Sequence, residues 1–279
     1  VVASVGDMGY GPASDDTVMR LTELVAAEKI DIVVHNGDIS YADGDYTHWD
    51  IFMRKIEPVA AQVPYMVSPG NHEFYFNFSA YKHRFYMPDR GANNGLYYAF
   101  RAGAANFVAM DTESWWDTAR MDKREVSFVE AHIDASARWN VVYGHRPLYA
   151  SNHGGNDFPH GAFVLRKAIE NTLVQGSVDL VLQAHQHDYE RTWPVAANGS
   201  VFNTSYASPS FPVYVVNGAA GNREKDMHPP GGKPWQPHMP NVTSSTVSFG
   251  LLTVSPQALR WQQIVSASGT VQDAFEITK

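Results

Sequence analysis

Residues 31–45 read Asp-Ile-Val-Val-His-Asn-Gly-Asp-Ile-Ser-Tyr-Ala-Asp-Gly-Asp. A short β-branched run, Asp31–Val34, suits a strand buried on both faces, and Asn36-Gly37-Asp38 stops it with turn residues. The arrangement recurs. Val1–Val5 runs into Gly6-Asp7, Pro64–Val67 into Gly70-Asn71-His72, Val141–Val142 into Gly144-His145, and Leu180–Leu182 into Ala184-His185. Helical periods lie between them: residues 15–29 place Val18, Leu21, Leu24 and Val25 on one face behind Ser14 and Asp15 as cap candidates. Trp49–Ala61, Lys123–Ile133 and Leu165–Val174 read likewise as helices, and Tyr97–Phe100 with Asn106–Met110 as a hairpin. Alternating strands and helices predict an α/β fold. After Trp193 the helical periods stop, and Val213–Val216, Leu251–Val254, Leu259–Ile264 and Ala274–Ile277 predict a β-rich C-terminal portion. No internal repeat or linker divides residues 1–279, which read as a single domain; Met227–Pro240, rich in Pro and Gly, reads as a surface excursion.

With 44% apolar and 18% charged residues the chain has a globular composition and is long enough to bury a core. A net charge of −8 opposes binding to nucleic acid, and no apolar run reaches membrane-spanning length. There is no cysteine, so a disulfide-linked dimer and thiolate metal sites are excluded, and any metal must sit on oxygen and nitrogen. The sequons at Asn77, Asn198, Asn203 and Asn241 tilt the reading towards a glycosylated, secreted protein.

The five strand ends carry the chemistry. Ligands of layered α/β proteins gather at the carboxyl ends of strands, where loops converge. A single Gly-Asp is usually a turn, and a single strand-end His usually a satisfied polar residue. Here Asp, Asn and His, all able to ligate, close five of the predicted strands, and His185 and His187 point to one side of an extended segment.

These residues resemble the purple acid phosphatases, within the calcineurin-like metallophosphoesterases. The family's GDxG, GDxxY, GNH[DE], VxxH and GHxH blocks correspond to Gly6-Asp7-Met8-Gly9, Gly37–Tyr41, Gly70-Asn71-His72-Glu73, Val142–His145 and Ala184-His185-Gln186-His187. Ala184 replaces the first Gly of the last block. The neighbouring Ile56–Val59, His145–Tyr149 and Asp188–Arg191 are closest in feel to the animal and protist branch. The resemblance implies a four-layer αββα sandwich with mixed sheets. It implies one ion held by Asp7, Asp38, Tyr41 and His187, and a second by Asp38, Asn71, His145 and His185. Tyr41 would select Fe(III) and give the purple colour, and the partner would be divalent Zn, Fe or Mn. Two such ions bring about +5 and the anionic ligands return about −3, so a phosphate would be attracted despite the acidic surface. The implied reaction is in-line attack of a metal-bound hydroxide on a phosphate monoester, with His72 stabilising the phosphoryl group and His153 binding substrate and protonating the leaving alcohol. His160 is a rival in the same loop. The family's larger members carry an N-terminal β-sandwich that has no counterpart here, and a secreted, vacuolar or lysosomal location fits.

The remaining polar residues have plainer readings. Asp43 and Asp45 lack the Glu an EF-hand loop needs and read as a solvated turn. Glu190-Arg191 reads as a structural ion pair, and His228 and His238 as residues of a surface loop. Trp115-Trp116 suits either core or cleft wall. A divalent-metal phosphodiesterase and a non-catalytic phosphate- or glycan-binding relative are the competing functions.

Overall fold

Runs of β-branched residues with no polar alternation need cover on both faces. β1 (Val2–Val5) and β2 (Ile32–Asn36) have it: every residue of each is buried, and they pair in parallel with Val2 beside Ile32 and Val5 beside His35. The computed structural model describes residues 1–88, 90–114, 121, 123–150, 160–222, 224 and 243–279. α1 (Asp15–Ala26) joins β1 to β2; α2 (Tyr46–Ala60) leads to β3 (Tyr65–Ser68), then α3 (Tyr75–Arg84) and the short α4 (Arg90–Asn93). The predicted hairpin is β4 (Tyr98–Ala102) and β5 (Ala105–Ala109), followed by α5 (Lys123–His132), β6 (Trp139–Tyr143), α6 (His160–Gln175) and β7 (Leu180–Gln183). β8 (Tyr189–Arg191), β9 (Val213–Asn217), β10 (Thr243–Ser244), β11 (Ser248–Val254), β12 (Ala258–Val265) and β13 (Val271–Thr278) complete the chain.

The strands form two mixed sheets, ordered β13-β12-β11-β1-β2-β3 and β10-β8-β9-β7-β6-β5-β4. The β-rich C-terminal portion is therefore shared between them: β11 pairs antiparallel with β1, while β9 lies parallel beside β7. Side chains alternate along each strand, and in β5–β7 that alternation defines the layers. Phe107, Ala109, Val141, Tyr143, Leu180 and Leu182 share a core with residues of β1 and β2, whereas Val108, Val142 and Val181 join Val129 of α5 and Leu165, Ile169 and Leu173 of α6. On the opposite side, α1 and α2 pack together and bury Leu21, Phe52, Ile56 and Val59 on the first sheet. The result is the expected αββα sandwich.

Local chemistry sets the helix ends. Ser14 stands at the N-cap of α1 but makes no side-chain cap bond; its hydroxyl donates to Gly9 O at 2.9 Å, pinning the loop that follows Asp7. α1 stops short of the expected residue 29 because Glu28 turns left-handed (φ 54°), and Lys29 N–H closes back on Leu24 O at 2.8 Å. α3 was not foreseen: Phe76, Asn77 and Phe78 all take positive φ (52°, 55° and 57°), so no helical period runs through its first turn.

In the first sheet the indole of Trp261 lies flat over Gly250. A Cβ at Gly250 would stand 2.1 Å from the ring atoms Cζ2 and Cη2, and Trp261 is fully buried. Gly250→Val is expected to destabilise the fold by about 1–3 kcal/mol through overpacking, read as a lowered urea midpoint; an unchanged midpoint would contradict this packing.

Candidate metal centre

The carboxyl ends of β1, β2 and β3 in one sheet and of β6 and β7 in the other open onto a common cleft, and the polar residues that end those strands meet there. Asp38 lies at the middle. Its Oδ1 accepts the His72 backbone N–H at 2.9 Å, and its Oδ2 lies 3.2 Å from His145 Nε2. Two glycines make this approach possible. A Cβ at Gly37 would strike the His145 ring at 2.6 Å, and one at Gly70 would come within 2.2 Å of Asp38 Oδ1. His145 Nδ1–H donates to Asn36 O at 2.9 Å, which fixes the tautomer and leaves Nε2 free to ligate. Asn71 Oδ1 and His185 Nδ1 lie 3.1 and 3.2 Å from that same Nε2. Among the described residues, Asp38, His145 and His185 offer ligand atoms all within 4.8 Å of one another.

A second cluster adjoins the first. Tyr41 OH donates to Asp7 Oδ1 at 2.8 Å and lies 2.9 Å from His187 Nε2, which is 3.4 Å from Asp7 Oδ1. Asp7 also ties the clusters together, since its Oδ2 accepts the His185 backbone N–H at 2.8 Å. All seven residues expected as ligands thus converge. Five residues of the cleft, Asp7, Asp38, Tyr41, Asp43 and His185, have φ between 49° and 70°. Non-glycine residues are strained there, at about 1–3 kcal/mol each, and such strain collects at functional sites.

The electrostatics suit a multivalent cation. Burial alone would lower the pKa of His145, but the Asp38 carboxylate outweighs it and raises it to about 10. His72 follows the same balance, with burial opposed by Asp38, Asp43 and Glu224, and rises to about 9. Burial, then Asp7 and Asp38, hold the Tyr41 phenol well above its ordinary pKa. Without a cation the buried Asp38 carboxylate thus favours protonated imidazoles at His145 and His72, and the Tyr41 phenol stays neutral. Ligation would need the neutral imidazoles and the phenolate, so His145 and Tyr41 would give up those protons to hold a cation. The oxygen and nitrogen donors of Asp38, His145 and His185 fit a metal ion, and Asp7, Tyr41 and His187 offer further donors of the same kinds beside them.

His72 sits beside the clusters, its ring 4.2 Å from that of Tyr41, with Nε2 3.8 Å from Asp38 Oδ2 and 3.6 Å from Glu224 Oε1. Its Nδ1 is hydrogen-bonded to Asp43 Oδ1. Asp43 is therefore not a solvated turn residue but the carboxylate that orients His72. Asp45 caps α2, accepting Thr47 N–H at 2.8 Å. Glu190 and Arg191 do not pair with each other: Arg191 Nε bonds Asp273 at 2.7 Å, while Glu190 shares a hydrogen bond with the buried Asp188. The Ala184 methyl packs on the bare face of Gly6, where a Cβ would lie 2.5 Å away. His153, Trp115, Trp116, His228, His238 and Asn241 lie outside the described residues. Asn77 and Asn203 are exposed, and Asn198 lies in a short turn, Ala197–Gly199.

Comparison with known proteins places this architecture. Residues 1–189 match the family model of the calcineurin-like phosphoesterases, and residues 211–274 that of the iron/zinc purple acid phosphatase-like protein C. Human acid phosphatase type 7 is 37% identical over 246 residues, covering 80% of this chain and 55% of its own length. A probable inactive purple acid phosphatase 27 of Arabidopsis thaliana is 30% identical, over 96% of this chain and 46% of its own. The solved purple acid phosphatase from yellow lupin seeds superposes with a TM-score of 0.83 at 26% identity, covering 99% of this chain and 53% of that one. The chain spans about half the length of the curated relatives it matches. With a family match over both the loops that carry the candidate ligands and the C-terminal strands, it belongs to the calcineurin-like phosphoesterases, in the purple acid phosphatase branch.

Proposed function

We propose that residues 1–279 form one catalytic domain that hydrolyses phosphate monoesters as an acid phosphatase. One ion, Fe(III), would be held by Asp7, Asp38, Tyr41 and His187, and a divalent Zn, Fe or Mn by Asp38, Asn71, His145 and His185. The observation that carries this reading is the Tyr41 hydroxyl set between Asp7 and His187, 2.8 and 2.9 Å away, beside a second donor cluster that shares the cleft. A phenolate is a hard donor suited to a trivalent ion. When bound, the pair of ions would supply Lewis-acid polarisation of the phosphoryl group and an activated water as nucleophile.

The chain's own side chains do the rest. Asp43 accepts from His72 Nδ1 and so aims Nε2 into the cleft, where a protonated imidazole can donate to a phosphoryl oxygen as charge develops there. His153 is proposed to bind substrate and protonate the leaving alcohol. The sequons at Asn77, Asn198, Asn203 and Asn241 support a glycosylated protein that is secreted, vacuolar or lysosomal. The complete set of seven ligands speaks against a non-catalytic role, and Tyr41 against a purely divalent diesterase.

Metal analysis with a visible spectrum tests the centre: iron plus a divalent metal and a phenolate charge-transfer band are expected, and a colourless, iron-free protein that still hydrolysed p-nitrophenyl phosphate would overturn the iron assignment. Asp38→Ala should lose both ions, and Gly70→Ala should weaken metal binding by pushing on the Asp38 carboxylate; full occupancy in either variant would refute the ligand set. His72→Ala should keep both ions and lose about 10²–10³ in kcat. Asp43→Asn should keep them too, with a smaller loss of about 10- to 100-fold. An Asp43 variant with wild-type kcat would remove the orienting role.

A further inference from the structure

A cavity of about 240 Å³ opens beside Asn71, walled by Phe74 and Tyr75 and floored by Glu113 and Arg146. It abuts the metal centre, because Asn71 is one of the proposed ligands and Arg146 Nη1 lies 3.4 Å from His185 Nε2. Its two aromatic walls are 43% and 47% exposed. Each packs against a neighbour on one side. The ring of Phe74 meets buried Phe78 edge-on at 5.3 Å, across the left-handed turn of Phe76–Phe78. Tyr75 lies against Gly44, where a Cβ would stand 3.1 Å from its Cδ1. The floor is a buried ion pair: Arg146 Nε donates to both Glu113 carboxylate oxygens, at 3.1 and 2.9 Å.

We propose that this cavity receives the alcohol half of the substrate and selects phosphomonoesters of flat, singly ringed aromatic alcohols. The inference rests on the phosphomonoesterase reading of the metal centre. A benzene ring fits an enclosed cavity of about 150 Å³, so this more open one of about 240 Å³ has room for a substituted ring. Aromatic walls favour stacking on such a ring over contact with a flexible aliphatic chain. Glu113 already takes up the charge of Arg146, so a second anionic group on the alcohol gains nothing there.

The test compares kcat/KM for phenyl phosphate and glycerol 2-phosphate in the metal-loaded enzyme and in the double variant Phe74→Ala, Tyr75→Ala. Taking the aryl-to-aliphatic ratio within each protein cancels the intrinsic reactivity of the two leaving groups between proteins. That ratio is expected to fall about tenfold in the double variant, with metal content retained, and to be kept in Phe74→Tyr and Tyr75→Phe. In the wild type, 4-carboxyphenyl phosphate should show no advantage over phenyl phosphate. An equal loss on both esters, or an unchanged ratio, overturns the subsite. A clear advantage for the carboxylated ester overturns the neutral floor. Wild-type protein with both ions bound that hydrolysed neither ester would instead refute the phosphatase reading, and the subsite with it.

Discussion

The contact between Asp38 and His145 joins the two sheets chemically, and the rest of the site depends on it. Asp38 ends a strand of the first sheet and His145 one of the second, and both are essentially fully buried, 3.2 Å apart. Burial alone would raise the pKa of Asp38, yet the imidazoles of His145 and His72 hold it well below the usual carboxylate range. A buried charge is tolerable only with such partners. The hydrophobic core between the sheets therefore does more than stabilise the fold: it sets the separation at which this carboxylate meets its imidazoles, and at which a shared ion becomes favourable.

That separation leaves the backbone little freedom. The turns after β1, β2 and β7 each carry a site residue in the left-handed region, Asp7, Asp38 and His185. Such residues persist only where surrounding bonds over-determine them, and here they do. Asp7 N–H bonds Gly37 O at 3.2 Å, Gly9 N–H bonds Ile39 O at 3.0 Å, and Tyr10 N–H bonds Ser40 O at 3.0 Å, lacing the first two loops together. A cation entering the cleft meets donors already placed, so less of its binding free energy is spent on ordering them.

Much of this was legible in the sequence because strand ends announce themselves. Apolar runs such as Ile32–Val34 and Leu180–Leu182 stop at Asp or His, and parallel pairing carries those residues to one edge. Asp43 was misread for a physical reason: Asp-Gly is turn chemistry, and its partner His72 lies 29 residues away, where no local pattern points. Arg191 likewise finds Asp273 across 82 residues, on a strand whose place in the sheet depends on the whole topology. Glu224 gave no signal at all; it follows β9 in sequence and reaches His72 because β9 lies inside the second sheet, next to β7, whose carboxyl end opens onto the cleft. The left-handed run of Phe76–Phe78 contradicts the preference of its two phenylalanines, of which Phe78 is buried and Phe76 is exposed.

The aromatic cavity and the metal ligands are also mechanically one unit. Glu73 is buried and accepts N–H bonds from Ile39 at 3.0 Å and Gly70 at 2.9 Å, clamping the loop of Asp38 and Tyr41 to the loop of Asn71 and His72. Phe74 follows directly, in the short turn closed by Phe74 N–H on Asn71 O at 3.3 Å. The side chain proposed to read the alcohol is thus three residues from the one proposed to hold an ion, on backbone that Glu73 prevents from moving independently. Recognition of the leaving group and placement of the phosphoryl group would then share one rigid support, which is how binding energy from the unreactive part of a substrate can be used to orient the reacting part. On the proposed reading, an anionic substrate would approach a protein of net charge −8 through attraction confined to the candidate metal cleft, and the surrounding rim would discriminate by shape rather than by charge.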